Sequence, residues 1–258
     1  MPDSIYRNPT DGYELALVPR AEVAFGDTAR GTDAPQFRAE IGPFYMGLYS
    51  VTNAQYAAFL NAWQPPSDLV SHWIRLDADC HIMSSGAGFA VDEDEYASHP
   101  VIQVSWWGAI AYCEWAGLRL PRELEWESAA RGTDGRTYPW GDRFYFDCCR
   151  YYRNRGSGTT CPVDAYPKGR SPYGMHNMAG NVWEWCADTY DPDVYALYAA
   201  GYMDLPVAPG ARVIRGGAWD VAEALRLRCS HRAWSDPSYS RLDTHGFRCA
   251  LSPPGVDA

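Results

Sequence analysis

The sequence predicts an α+β fold, rich in loops and closed in a single domain over residues 1–258. Three observations lead there. Only three stretches combine helical spacing with end caps. Short alternating stretches are scattered among them. The chain also carries 23 Gly, 19 Pro, 18 Tyr and 11 Trp, which means many turns and aromatic packing rather than a helical bundle. At 258 residues a sizeable core is within reach, and 47% hydrophobic against 21% charged residues is ordinary for a globular chain.

Residues 1–12 read as a loose leader. Tyr13–Gly26 alternates enough for one or two strands, and Phe37–Val51 for a second pair broken at Gly42-Pro43. The first helix follows. Thr52 is its cap, Gln55 closes a capping box, Tyr56, Phe59, Leu60 and Trp63 recur on one face, and Pro65-Pro66 stops it. Ser67–His99 lacks periodicity and reads as a long surface excursion with a solvated acidic run at 92–95. Val101–Val104 reads as a strand, and Ser105 caps a helix over Trp106–Ala116 that Gly117 ends. Pro121 suits the first position of a third helix, which continues through Arg122–Arg131 to Gly132. Glu123, Glu125 and Glu127 in its early turns complement the helix dipole. Beyond Asp142 no helix is expected, and strands are expected at Arg212–Arg215 and Gly246–Ala250.

A net charge of −10 without a Lys/Arg cluster excludes a nucleic-acid surface, and the basic run at 150–155 reads as a solvated loop. No apolar run approaches the roughly 20 residues that span a bilayer. The first twenty residues contain no apolar signal core, so a cytoplasmic location is the default expectation. Eight cysteines without any C-x-x-C then read as reduced, small buried hydrophobes, and the vicinal Cys148-Cys149 pair is unsuited to bridging.

The chemistry concentrates in Gly169–Asp188, GRSPYGMHNMAGNVWEWCAD. Asn177, Asn181 and Glu184 stand among large rings, and buried polar groups need partners. Side-chain oxygens at Asn177 and Glu184 in a glycine-bearing loop suit calcium; a hydrogen-bonded loop without metal suits the same residues. There is no G-x-S-x-G, no H-E-x-x-H and no phosphate-binding glycine loop, and the six histidines are scattered.

Six motifs recur in fixed order: YSVTNAQY (49–56), HPVIQVSWWGAIAYCEWAGLRLPRELEWESAARG (99–132), YPWGD (138–142), GMHNMAGNVWEWCAD (174–188), RGGAW (215–219) and GFRCA (246–250). In these the chain resembles the formylglycine-generating-enzyme, or sulfatase-modifying-factor, family, a variant of the C-type-lectin fold. The resemblance implies a structural calcium ion at Asn177, the carbonyls of Gly180 and Val182, and Glu184. The oxidases of that family bind copper through two cysteines shortly after the Gly-Gly pair. Here the segment reads GGAWDVAEALRLRCSHR (216–232), with Val221 where the first cysteine belongs and no room for the second. Formylglycine generation, copper and iron are therefore not expected.

A second branch is similar in layout: the variable proteins of diversity-generating retroelements, which display a diversified segment between Gly-Gly-x-Trp and a terminal Gly-Phe-Arg. That comparison implies a ligand-binding segment at 212–250. Its candidate contact residues are Asp220, Val221, Glu223, Ser230, His231, Ala233, Trp234, Ser235, Asp236, Ser238, Tyr239, Ser240, Leu242, Asp243, Thr244 and His245. Small polar and aromatic side chains of this kind make a paratope-like vocabulary. Arg226, Arg228, Arg232, Pro237 and Arg241 would form the framework between them. Mutagenesis of asparagine codons at adenines does not yield Trp or Glu, so Trp234 and Glu223 would be fixed by the template. The expected function is non-catalytic binding of a protein or small-molecule ligand, with no nucleic acid and no membrane span. The rival is a metal-dependent oxidoreductase acting on a peptide or small molecule.

Overall fold

A computed structural model describes residues 5–28, 31–203, 208–238 and 241–253. The strands are β1 (Ile5–Arg7), β2 (Glu14–Val18), β3 (Ala21–Phe25), β4 (Phe37–Ile41) and β5 (Phe44–Gly47), then β6 (Ile82–Ser85), β7 (Gly88–Val91), β8 (Trp183–Thr189), β9 (Arg212–Arg215), β10 (Arg232–Ser235), β11 (His245–Gly246) and β12 (Ala250–Leu251). The helices are α1 (Asn53–Trp63), α2 (Ser67–Trp73), α3 (Trp106–Ala116), α4 (Glu123–Arg131) and α5 (Val194–Ala199).

Two four-stranded sheets organise the chain, one in the order β1-β2-β5-β12 and one in the order β10-β9-β8-β11; β3-β4 and β6-β7 are separate hairpins. The C-terminal residues enter both sheets. Ala250 pairs with Met46 in the first, and Gly246 lies parallel to Glu184 in the second. The last described turn of the chain therefore fastens its two halves together.

The helix signals held where caps were visible. Thr52 and Gln55 form the capping box of α1, and Ser105 accepts from the Gly108 amide at the start of α3. Tyr56, Phe59 and Leu60 are buried as expected, whereas Trp63 at the end of α1 is largely exposed. α1 and α3 meet through the stacked rings of Tyr56 and Tyr112, 5.9 Å apart, with Phe247 edge-on to Tyr112 at 5.4 Å. Gly108 permits this approach. A Cβ there would stand 2.4 Å from the Trp73 carbonyl oxygen and 2.7 Å from the Tyr56 hydroxyl.

Several expectations are corrected. The leader is not loose from residue 5 onward: β1 pairs with β2, and Asn8 donates to the Ala116 carbonyl. The excursion at 67–99 contains α2 and the β6-β7 hairpin, and Val70, Trp73 and Ile74 from it enter the core. Residues 101–104 form no strand, only a single bridge from Val104 to Ile74. The third helix begins at Glu123 rather than Pro121, with Arg122 at the cap. α5, β8 and β10 were not anticipated. All eight cysteines are buried and free, with Cys113 and Cys249 sulfurs 3.6 Å apart. No helix among the described residues is long and apolar enough to cross a membrane.

Candidate functional site

The stretch at 174–188 turns tightly into β8. Asn177 and Asn181 both take left-handed conformations, with φ of 53° and 68°. Asn181 is held by its side chain, whose Oδ1 accepts from the Cys161 amide at 3.0 Å and whose Nδ2 donates to the Cys161 carbonyl at 3.1 Å. These local bonds stabilise a backbone that ordinary residues avoid.

β8 then buries Glu184 completely. Arg248 donates to both of its oxygens, Nε to Oε2 at 2.6 Å and Nη2 to Oε1 at 2.8 Å. The Ser50 hydroxyl adds a bond to Oε1 and the Trp126 indole one to Oε2, each 2.7 Å. The remaining Arg248 bonds go to the carbonyls of Gly47 and His176. A carboxylate has about four lone-pair positions, and here four donors fill them.

That geometry corrects the expected calcium set. Glu184 does not fit as a ligand, because each oxygen already accepts two hydrogen bonds and its charge is balanced by Arg248. Asn177 does fit a cation: its Nδ2 donates to the Val163 carbonyl, while its Oδ1 is buried without any hydrogen-bond partner. The Gly180 carbonyl accepts from the Val182 amide, leaving it one lone pair.

A second buried network carries the C-terminal segment. Arg215 on β9 reaches Glu123 at 2.9 Å, Glu127 at 2.7 Å and the Cys229 carbonyl at 2.6 Å. Arg232 on β10 forks onto Glu123 at 2.7 and 2.9 Å and also donates to the carbonyls of Thr32 and Asp191. Glu127 accepts as well from Arg131, the Tyr195 hydroxyl and the Gly26 amide. Arg228 pairs with Asp27 and, at 2.9 Å, with Asp33, which also accepts from Ser230. Glu123, in the first turn of α4 as expected, and Glu127 are thus also anchors for arginines. Burial alone would push the Glu127 carboxyl up; the Arg215 and Arg131 charges outweigh it and hold the group below its ordinary value.

Arg228 and Arg232 are framework, as expected. The sixteen candidate contact residues divide. Val221, Ser230, Ser235, Thr244 and His245 are buried and are not available to a surface ligand. His245 faces inward from β11, its ring nitrogens 3.0 Å from the Thr244 and Ser235 hydroxyls. Asp236 is exposed but holds its own turn by accepting from the Ser238 amide. His231, Ala233, Ser238 and Asp243 are partly covered, while Asp220, Glu223, Trp234 and Leu242 are exposed. Tyr239 and Ser240 lie outside the described residues.

The structure brings residues 219–220 and 243 together. The Trp219 indole donates to the Asp243 carbonyl at 3.1 Å. Burial raises the carboxyl pKa of both Asp220 and Asp243, and the charges of Asp79 and Asp220 raise that of Asp243 further. Sequence reasoning missed Leu225, which is 67% exposed, and Arg155, whose guanidinium lies 4.9 Å from the Trp219 ring and 5.1 Å from the Tyr152 ring. The signal for Arg155 was present as the basic, aromatic run at 150–155, read there as a solvated loop.

A model of the "sulfatase-modifying factor enzyme 1-like domain" matches residues 3–253. The chain belongs to that family. It is 34% identical to the formylglycine-generating enzyme of Streptomyces coelicolor, over 90% of this chain and 87% of that enzyme. It is 36% identical to the serine/threonine-protein kinase pkn1 of Chlamydia pneumoniae, over 92% of this chain but only 38% of the kinase. The chain thus spans well under half of the curated kinases it matches. Among solved structures, PvdO from Pseudomonas aeruginosa superposes with a TM-score of 0.77 at 21% identity, covering 98% of this chain and 99% of PvdO. Treponema denticola variable protein 1 superposes at 0.70 with 19% identity, covering 97% and 99%. At those identities the likeness is one of fold.

Val221, which the family resemblance sets against the first copper cysteine, is buried. Cys229 is buried, and desolvation pushes its thiol up to about 12, so without a metal it is not a thiolate near neutral pH. Four histidines share another property. His99, His176, His231 and His245 are each held down to about 4, burial being the leading cause in every case. Between about pH 4 and 6.5 the folded chain therefore binds fewer protons at these sites than the unfolded chain. Their contribution is fully present above pH 6.5 and is lost as pH falls toward 4. For His245 it reaches about 3 kcal/mol at most. Asp188 acts oppositely: burial and then Glu123 raise it to about 6, so it favours the folded state as pH falls through that value. Asp220 and Asp243, also raised by burial, act in the same direction as Asp188, but the four histidines titrate through this window, so Tm should fall between pH 7.5 and pH 5, and His245→Asn should flatten the dependence. A Tm unchanged or higher at pH 5 would contradict this.

Proposed function

We propose that the chain is a non-catalytic binding protein, presenting exposed side chains of residues 220–245 to a protein or small-molecule ligand. The observation that carries this reading is a division of labour within the segment. Arg232 holds its backbone through a buried ion pair and Arg228 through a part-buried one, while Asp220, Glu223, Trp234 and Leu242 stand exposed on that frame. A rigid backbone with adaptable polar groups and an aromatic anchor at 59% exposed Trp234 lowers the ordering cost of binding. Val221 in place of the first copper cysteine supports the non-catalytic half of the reading.

A diversified, retroelement-type segment is the finer version. A reverse-transcriptase gene and a near-copy of the coding sequence for 212–250 beside this gene would support it, and the absence of both would remove it. We also propose a structural calcium ion at the 177–182 turn, with Asn177 Oδ1 and the Gly180 and Val182 carbonyls as donors and Glu184 left out. With no carboxylate in the set, affinity should be weak, in the range of about 10⁻⁴–10⁻³ M.

The class-level test is oxygen consumption by the purified chain loaded with copper, with a cysteine-containing peptide as reductant and substrate. The expected rate equals that of the protein-free blank. Sustained turnover with loss of the peptide thiol would overturn the non-catalytic reading.

A further inference from the structure

Beside the C-terminal segment lies an open cleft of about 510 Å³, between α2, the β6-β7 hairpin and Arg241. Its volume is within the roughly 300–1,000 Å³ usual for small-molecule sites. None of the displayed residues Asp220, Glu223, Trp234 and Leu242 lines it. The walls are apolar: Val70 and Ile74 from α2 and its end, Leu76 beyond it, and Phe89 from the hairpin.

Two arginines line this apolar space, and they differ. Arg75 is committed, with its Nε 2.7 Å from the Asp77 carboxylate and bonded to Gln103. Arg241 has no carboxylate partner among the described residues. Its Nη1 donates to the Ser71 carbonyl, which fixes the guanidinium to α2. Its Nε is buried and has no acceptor. No bond to its Nη2 is present among the described residues. With Nη1 on the Ser71 carbonyl and Nε buried, Nη2 is the nitrogen left to meet a ligand oxygen, by a charge-assisted hydrogen bond.

We propose that this cleft binds a small monocarboxylate with an apolar tail, the tail among Val70, Ile74, Leu76 and Phe89 and the carboxylate on Nη2 of Arg241. The occupant follows from complementarity: apolar walls select the tail, and Arg241, which has no carboxylate partner among the described residues, selects one anionic head. The site is independent of the displayed side chains.

Calorimetry with decanoate and with decanol as its neutral counterpart tests the assignment at pH 7.5. Decanoate should bind at least tenfold more tightly than decanol. Arg241→Gln should reduce decanoate to the level of decanol while leaving decanol unchanged. Ser84→Trp, which fills the cleft from an exposed lining position, should abolish both. The variant with Asp220, Glu223, Trp234 and Leu242 all changed to serine should bind decanoate like the wild type, which separates this site from the displayed one. Equal affinity for the two probes, no effect of Arg241→Gln, or no decanoate binding by the folded wild type at millimolar concentration would overturn the proposal.

Discussion

Glu184→Ala is expected to destabilise the fold by about 3–5 kcal/mol, the usual loss when one partner of a buried ion pair is removed. Arg248 would be left fully buried with its charge uncompensated, and the Ser50 and Trp126 donors would lose their acceptor. For a chain of this size each kcal/mol moves Tm by roughly 2–4 °C, so Tm should fall by about 6–20 °C. Removing both charges, as Glu184→Met with Arg248→Met, should recover a large part of that loss, because no orphaned charge remains. Since Glu184 bonds to protein donors, the loss should be the same with calcium or with chelator. Asn177→Ala, in contrast, should erase whatever part of the wild-type Tm depends on calcium. A Glu184→Ala loss confined to calcium-containing buffer would return Glu184 to the metal.

Arg215→Met should cost a comparable amount, for a related reason. Arg215 lies between Glu123 and Glu127, both buried, and also ties β9 to the Cys229 carbonyl. Without it, Glu123 keeps only Arg232 and Glu127 only Arg131 as cation partners. Two buried carboxylates would then face a deficit of positive charge. The Glu127 carboxyl would rise from its depressed value, so its ionised form would stabilise the fold less and there would be less of that stability to lose as pH falls. Urea unfolding at pH 7.5 and pH 5.5 checks both points. Arg215→Met should show a lower midpoint at each pH and a shallower acid loss than the wild type. An unchanged midpoint would mean that the network is dispensable.

Much of the architecture was legible because it was written locally. Thr52 with Gln55, Ser105 with Gly117, and the Gly42-Pro43 break all act over a few residues, and each marks an element boundary in the structure. β8 was not legible. Its first four residues, Trp183–Cys186, are all buried, so no alternation marks them as a strand. α2 is only seven residues long and follows Pro65-Pro66, which reads as a stop.

The site was legible in composition but not in partnership. Glu184 and Arg248 belonged to two recognised motifs, yet their pairing spans 64 positions and leaves no local trace. The metal assignment for Glu184 went astray for that reason. The contact list at 220–245 erred similarly. Val221 and His245 sit among small and polar neighbours, but the backbone turns them inward, His245 through parallel pairing with Trp183. Sequence composition identified the segment; only the strand register separated frame from display.

The central claim is that the 220–245 backbone is frame, while Asp220, Glu223, Trp234 and Leu242 carry no folding duty. The most direct test is thermal unfolding of the variant with those four residues changed to serine. The account predicts a Tm within about 2 °C of wild type, as expected for surface positions away from buried networks. A fall of about 8 °C or more would show that these side chains hold the fold, and would contradict display as the role of the segment.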